Sequence, residues 1–593
     1  MSVRTPLISI RPNFSALCSK YRYYRMEPVQ HYIKEGILYK PIVPNIHHWP
    51  IAQLFQQKQS FVHEVIDNAM EQLNRQAGYE TEQVADLLAR TMYLERTRML
   101  ENPWKVDPKD ENKFWSGVKK QLVHLEHKVE DPQEVEQGLQ EIMHRVVKRY
   151  AFEIASDFKP GVYHFAKRFL PLFFSTLLNA SAGKTMQAVI NHSVKLQERV
   201  HLAGHVEHLR KLGSKGTIIL VPTHISNVDS ILVGWGLHAL GMPAFIYGAG
   251  LNLYNNKILA HFMNRLGAYT VDRRKRNPLY RATLDSYATI ATLEGVHGIF
   301  FPGGTRSRSG AIEKNLKLGL LSTALEAQRR NFIQPVRAQS EKIFIVPLVM
   351  SYHFVLEAAS LIRQYLRHTG EEQYYILDKE SGSLTKVLQF IWSTFSRSSD
   401  IVLSFGKPMD VLGNFVDEEG LSYNDQGQQV DVKSYFMTQG EVTRDPQRDQ
   451  QYTRYLGERI VERYHIENHV FNSHLVAFAA FQYLKKKHRD LDLYALLRLP
   501  EDERRIPMSD FRALINRLYQ RLRELSDAGK VHLAQHMIND VPSIIQQGVA
   551  NLGIYHDKRP LRIQSHEELS VENMNLLYYY HNRLEGYELE SLV

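Results

Sequence analysis

In Val221–Asp229 (VPTHISNVD), His224 is followed five residues later by Asp229, and this pair is suited to acid–base chemistry. An imidazole that donates from one ring nitrogen to a carboxylate keeps the other nitrogen free to take a proton. On a continuous helix this spacing would set the two side chains well apart in angle. At a strand-to-helix junction, His224 can sit in the loop while Asp229 lies in the first helical turn, and the two can meet. The same residues have a plainer reading. Ser226-Asn-Val-Asp229 fits a capping box, with Ser226 as N-cap and Asp229 bonding backward. Taken alone, capping is the commoner use of such a segment.

Two further segments carry positive charge at the ends of apolar runs. Gly267–Arg276 (GAYTVDRRKR) starts small, turns β-like and ends basic. The planar fork of an arginine can bond two phosphate oxygens at once, although a solvated charge run is the default reading of any such stretch. Phe300–Gly310 (FFPGGTRSRSG) is an apolar run that ends in a glycine turn and then presents Thr305, Arg306, Ser307 and Arg308. Glycines let backbone N–H groups approach an anion closely. A tight turn with exposed arginines would explain the glycines. It would not explain why all three polar clusters follow expected strands, where loops of open α/β sheets line a ligand crevice.

The elements that must position these residues are legible in the texture of the chain. Thr217–Val221, Gly298–Phe301, Ile343–Val349 and Ile401–Phe405 are short, apolar, β-branched-rich runs. Helical patterns at Leu279–Leu293 and Leu316–Arg329 separate them, which indicates an α/β domain with a largely parallel sheet covered by helices. Residues 1–200 read as a helical N-terminal region, with helical spacing over Gln53–Gln76 and Asn112–Arg149. The α/β domain occupies 201–410, a polar loop or excursion 411–450, and a helical C-terminal region 451–593.

Length predicts two to four domains, and 44% hydrophobic against 23% charged residues excludes a disordered or fibrous chain. The single cysteine, Cys18, excludes an intramolecular disulfide framework and a thiolate-rich metal site. A net charge of +9 favours anionic partners: a phosphorylated substrate, an anionic membrane surface or nucleic acid. The basic run at Arg273–Arg276 is too short and too poor in aromatics for nucleic acid to be expected. The opening residues lack the apolar run of a secretory signal, and no stretch is long and apolar enough to span a bilayer. Phe169–Leu178 and Leu475–Leu484, each beside basic residues, are the candidates for an interfacial position; a core helix with a solvated basic end is the plainer reading of either.

Other signals are set aside. Gly183-Lys184-Thr185 ends like a P-loop but lacks its leading glycine, and His63-Glu64 has Asp67 where a zincin needs its second histidine. His201, His205 and His208 are spaced to share a helix face, which reads as a polar surface rather than a metal site. No Gly-x-Ser-x-Gly elbow is present. No metal and no resident cofactor is expected.

The ordered blocks His224-x4-Asp229, Gly267-x5-Arg273, Gly304-Thr305-Arg306-Ser307 and Val346-Pro347 resemble the glycerolipid acyltransferase family. More narrowly, Ala249–Leu253, Arg265–Tyr269, Tyr280, Tyr287 and Arg306–Gly310 resemble the glycerol-3-phosphate and dihydroxyacetone-phosphate acyltransferases. The resemblance spans 216–408, about a third of the chain. It implies acyl transfer from acyl-CoA or acyl-carrier protein, as co-substrate, to glycerol 3-phosphate in phospholipid biosynthesis. Lysophosphatidate or dihydroxyacetone phosphate are alternative acceptors, and a non-catalytic lipid-binding relative is the alternative from another class. The implied roles are His224 as general base, Asp229 orienting it, Arg273 and Arg306 on the phosphate, and Gly304, Thr305 and Ser307 shaping the pocket. Pro347 would shape the acyl or thioester region. A peripheral position on the cytoplasmic side of a membrane is implied as well. The chain departs from the family at Gly303, where a glutamate usually precedes the glycine; Glu313 is a candidate to replace it.

Overall fold

The β-branched runs of the sequence form the centre of a sheet. The computed structural model describes residues 39–126, 131–167, 200–255, 257–337, 341–369, 401–537, 540–554, 556 and 558–593. Seven strands are ordered β1-β7-β6-β2-β5-β3-β4. They are β1 (Val200–Gly204), β2 (Gly216–Pro222), β3 (Ile246–Gly250), β4 (Ala268–Val271), β5 (Gly298–Ile299), β6 (Lys342–Tyr352) and β7 (Ile401–Phe405). The five strands from β6 to β4 run parallel, while β7 pairs antiparallel with β6 and parallel with β1. The sheet is therefore largely parallel, and the carboxyl ends of β2, β4, β5 and β6 point to one edge.

The expected strands are present, with β5 trimmed to two residues and β6 extended to eleven. β1 and β3 were not expected. Each is only five residues long and carries glycine, so neither stands out as an apolar run. Pro347 lies inside β6, opposite Val221 of β2. A proline in a central strand removes a ladder donor. Here the loss is tolerated because β6 changes partner at that point: Ile345 bonds Met409 before it, and pairing with β7 begins at Leu348 after it.

Side chains of the central strands alternate between two apolar layers, as the period of a strand requires. Ile218, Leu220, Phe344, Val346 and Leu348 face one cluster, which includes Leu475, Phe478, Phe481, Leu518 and Leu577 from C-terminal helices. Ile219, Val221, Ile343 and Ile345 face the other, which includes Phe61, Val65, Leu73 and Tyr150 from N-terminal helices. The main helices of the second layer are α1 (Lys58–Gln76), α2 (Thr81–Glu101) and α3 (Pro132–Ile154). Helix α4 (Asp229–Ala239) follows β2, and α5 (Pro278–Leu293) follows β4. The C-terminal region contributes α6 (Asn472–Lys487) and α7 (Met574–His581), together with a small three-stranded sheet.

Leu475–Leu484 is buried throughout α6 apart from half-buried Tyr483, and only Lys485–Lys487 reach solvent. This segment is a core helix with a solvated basic end, and it has no free apolar face for a lipid interface. Phe169–Leu178 and Gly183-Lys184-Thr185 lie outside the described residues. The polar stretch after Pro408 forms short antiparallel pairings, Phe415–Val416 with Ser422–Tyr423 and Met437–Thr438 with Glu441–Val442. His201 lies in β1, so it shares no helix face with His205 and His208. Those two are half-buried, and burial pushes the His205 imidazole down to about 4. They do not form the solvated polar face that their spacing suggested.

Candidate active site

The loop between β2 and α4 wraps around the carboxylate of Asp229. Oδ2 of Asp229 lies 2.8 Å from Nδ1 of His224 and accepts the N–H groups of Ile225 (2.7 Å) and Ser226 (2.9 Å). Its other oxygen accepts the hydroxyl of Tyr352 at 2.6 Å. One fully buried carboxylate thus closes the turn and orients the imidazole, so the capping and the acid–base readings of the sequence share a single side chain. Ser226 does not cap α4; its hydroxyl donates instead to Glu357 at 3.0 Å. His224 is about one-fifth exposed, and its ring centroid lies 4.4 Å from that of Phe301. Its Nε2 makes no hydrogen bond among the described residues.

The loop after β5 grips the same histidine by its backbone. The N–H of Ser307 donates to the His224 carbonyl at 2.7 Å, and the His224 N–H donates to Oε1 of Glu313 at 2.7 Å. The Ser307 hydroxyl donates to the Ala311 carbonyl, holding the turn. Gly304 has φ of +74°, where a side chain is strained and where a Cβ would meet Lys317 at 2.9 Å. Thr305 is exposed at the tip of this turn.

The basic run after β4 divides by role. Arg274 is held by Asp272 and Asp107 and lies over the Trp104 ring at 4.1 Å; Lys275 pairs with Glu153. Both are buried structural cations joining the strand to the N-terminal helices. Arg273 reaches solvent, and both its protein surroundings and the charge of Arg306 lower its guanidinium from the ordinary value. Arg306 approaches Glu357 at 3.3 Å, and its Nη1 is buried without a hydrogen bond. Two guanidinium groups close enough to repel each other are chemically suited to an anion shared between them. Arg274→Leu should lower stability by about 3 kcal/mol, the cost of stranding buried Asp272 and half-buried Asp107. Urea unfolding measures it, and an unchanged midpoint would make Arg274 a surface cation.

His224, Asp229, Arg306 and Ser307 are thus joined through contacts in one place, with Arg273 facing Arg306. Pro347 stands apart, buried within β6. Sequence reasoning missed Tyr352 and Glu357. Tyr352 ends β6 and Glu357 comes five residues later, where a strand's carboxyl end could have marked them. It also missed Arg583, buried in the C-terminal region, for which no local signal existed. Tyr280 and Tyr287 serve the scaffold: the Tyr280 hydroxyl accepts the Asp272 N–H, and Tyr287 meets Ser156. No cluster of metal-ligating side chains is found among the described residues.

The acyltransferase family model matches residues 203–351, which contain the loops after β2, β4 and β5 and end just before Tyr352. A glycerol-3-phosphate acyltransferase of Pseudomonas fluorescens is 27% identical over 396 residues, covering 65% of this chain and 41% of the relative. One from Pseudomonas paraeruginosa is 28% identical over 295 residues, 49% of this chain and 31% of the relative. The chain thus spans about two-fifths or less of the length of these curated relatives. The crystal structure of the 1-acyl-sn-glycerophosphate (LPA) acyltransferase, PlsC, from Thermotoga maritima aligns with 51% of this chain and 92% of its own at 14% identity and a TM-score of 0.23. Residues 203–351, which carry His224, Asp229, Arg273 and Arg306, therefore match the acyltransferase family, and the chain is similar to glycerol-3-phosphate acyltransferases over part of their length.

Proposed function

We propose that this chain transfers a fatty acyl group from an acyl thioester to a hydroxyl of glycerol 3-phosphate. The observation that carries the reading is the imidazole of His224, held through Nδ1 by Asp229 with Nε2 unbonded among the described residues, in a loop whose backbone is bonded to Ser307 next to Arg306. The acceptor hydroxyl donates its proton to Nε2 as its oxygen attacks the thioester carbonyl. Asp229 stabilises the imidazolium that forms. Collapse of the tetrahedral intermediate breaks the carbon–sulfur bond, and the imidazolium returns the proton to the departing thiolate. An ester and a free thiol result, and no enzyme nucleophile is consumed. Arg273 and Arg306 bind the acceptor phosphate, the Gly304–Ser307 turn shapes its pocket, and Pro347 belongs to the acyl side. The names of the relatives favour glycerol 3-phosphate over lysophosphatidate or dihydroxyacetone phosphate.

Thiol release from palmitoyl-CoA, with the three acceptors offered separately, tests the reading. Release that depends on glycerol 3-phosphate supports it. Release with another acceptor alone reassigns the substrate, and silence with both CoA and carrier-protein donors overturns it.

We place the reaction at a membrane surface on the cytoplasmic side, because the product carries a fatty chain and the protein is basic. No helix among the described residues is long and apolar enough to cross a membrane. The protein should sediment with anionic liposomes at low salt and be released as salt rises. Recovery in the supernatant at low salt would exclude this placement.

A further inference from the structure

Where the family usually carries a glutamate, this chain has Gly303. Its backbone is not in the left-handed region, so conformation does not demand glycine there. Space does. A Cβ built on Gly303 would lie 3.0 Å from Cγ and 3.2 Å from Oε1 of Glu313. The volume that a side chain at 303 would enter is occupied by the carboxylate arm of a residue ten positions further along the chain.

We infer that Glu313 supplies the carboxylate missing at position 303 and acts as a positioning residue for His224. The inference rests on the reading of His224 as the base. Glu313 accepts the His224 N–H at 2.7 Å, while Ser307 donates to the carbonyl of the same residue. Phe301 packs on its ring. The 301–313 loop therefore fixes the histidine at both backbone groups and at one ring face, and Asp229 fixes the Nδ1 edge. A base held this way keeps Nε2 in one place without spending substrate-binding energy on ordering it.

The second oxygen of Glu313 is buried and makes no hydrogen bond. Burial pushes its carboxyl up; the His224 N–H and the charge of Arg583 oppose that. Arg583 is itself buried, bonded to Asn468 and to the Met350 carbonyl, with Nη1 unbonded. The C-terminal region thus delivers a positive charge that favours the ionised Glu313. This gives that region a part in setting the active loop as well as covering the sheet.

A relocated carboxylate makes a distinctive mutational cycle. Glu313→Ala should lower kcat on the order of 100-fold, since a base displaced by an ångström loses about that much, with the acceptor KM little changed. Gly303→Glu alone should also be impaired, because its Cβ meets Glu313. The double variant Gly303→Glu/Glu313→Ala restores a carboxylate and removes the clash, and should recover at least about tenfold over either single change. Glu313→Gln keeps an acceptor oxygen of the same size, so its kcat should fall between wild type and Glu313→Ala. A double variant no better than the worse single would overturn the relocation.

A second measurement does not depend on turnover. Thr223-His224 is the one Thr-His pair in the chain. Carbonyl-13C threonine with 15N histidine therefore selects the His224 amide alone. Its proton should move upfield in Glu313→Ala and return toward the wild-type position in the double variant. An amide unmoved by Glu313→Ala would refute the contact. If wild-type protein transferred no acyl group, the reading of His224 as a base would fall, and the amide would still decide whether Glu313 holds it.

Discussion

His224→Ala should abolish measurable acyl transfer, with kcat reduced by about 10³- to 10⁴-fold. The size follows from the two proton transfers proposed for the imidazole in one turnover: taking the hydroxyl proton and returning it to the leaving thiolate. Neither transfer has another candidate, because the buried carboxylate of Asp229 is already engaged by the histidine, two N–H groups and the Tyr352 hydroxyl. The fold should survive, since the histidine is partly exposed and its backbone bonds to Ser307 and Glu313 do not need the ring. Asp229→Asn should fall nearly as far. An amide in that place presents one acceptor oxygen and no charge to donors arranged for a carboxylate. The two losses belong to one unit, so the double variant should be no worse than His224→Ala alone. Turnover of His224→Ala within tenfold of wild type would remove it from the chemistry.

Arg273→Ala/Arg306→Ala should cost the acceptor rather than the donor. A hydrogen bond to a charged group contributes about 1.5–3 kcal/mol. Loss of both arginines is therefore expected to lower kcat/KM for glycerol 3-phosphate by about 10²- to 10⁴-fold. KM for the acyl thioester should stay near wild type. Arg306 is the more instructive single change, because its free-state partner is Glu357, which also accepts from Ser226 and Asn227. Replacing Arg306 leaves that carboxylate facing the incoming phosphate, so the loss should exceed that at Arg273. An unchanged dependence of rate on acceptor concentration would assign the phosphate to other groups.

Much of the site was legible because its residues are local to their strands. Each block follows an apolar run, and the carboxyl ends of parallel strands share one edge, so His224, Arg273 and Arg306 could be placed together from the chain alone. The division of the basic run was not legible. Arg273, Arg274 and Lys275 are chemically alike in sequence, and only the distant Asp107 and Glu153 decide which are structural cations. Tyr352 and Arg583 were hidden for the same reason: their partners lie 123 and 115 residues away. β1 and β3 were hidden because short, glycine-containing strands carry little apolar signal. The apolar run Leu475–Leu484 reads more plainly as core than as lipid-facing, and packing against α7 bears out the core reading.

The place of β1 in the sheet has a consequence for biosynthesis. Its sheet partner is β7, and the register joins Val200 to Ile401. At a translation rate of about 5–20 residues per second, about 10–40 s pass between the two strands leaving the ribosome. Through that interval β1 has no neighbour in the sheet among the described residues, and the flank of β6 that β7 will cover is open. The nascent chain must carry an unpaired edge beside an apolar surface while the rest of the α/β core is already available, a condition that favours aggregation and slow completion. A chaperone that shields extended apolar segments would therefore act on this protein late in synthesis, and pulse-labelled chains stalled before residue 401 should be far more sensitive to protease than chains released just after 405.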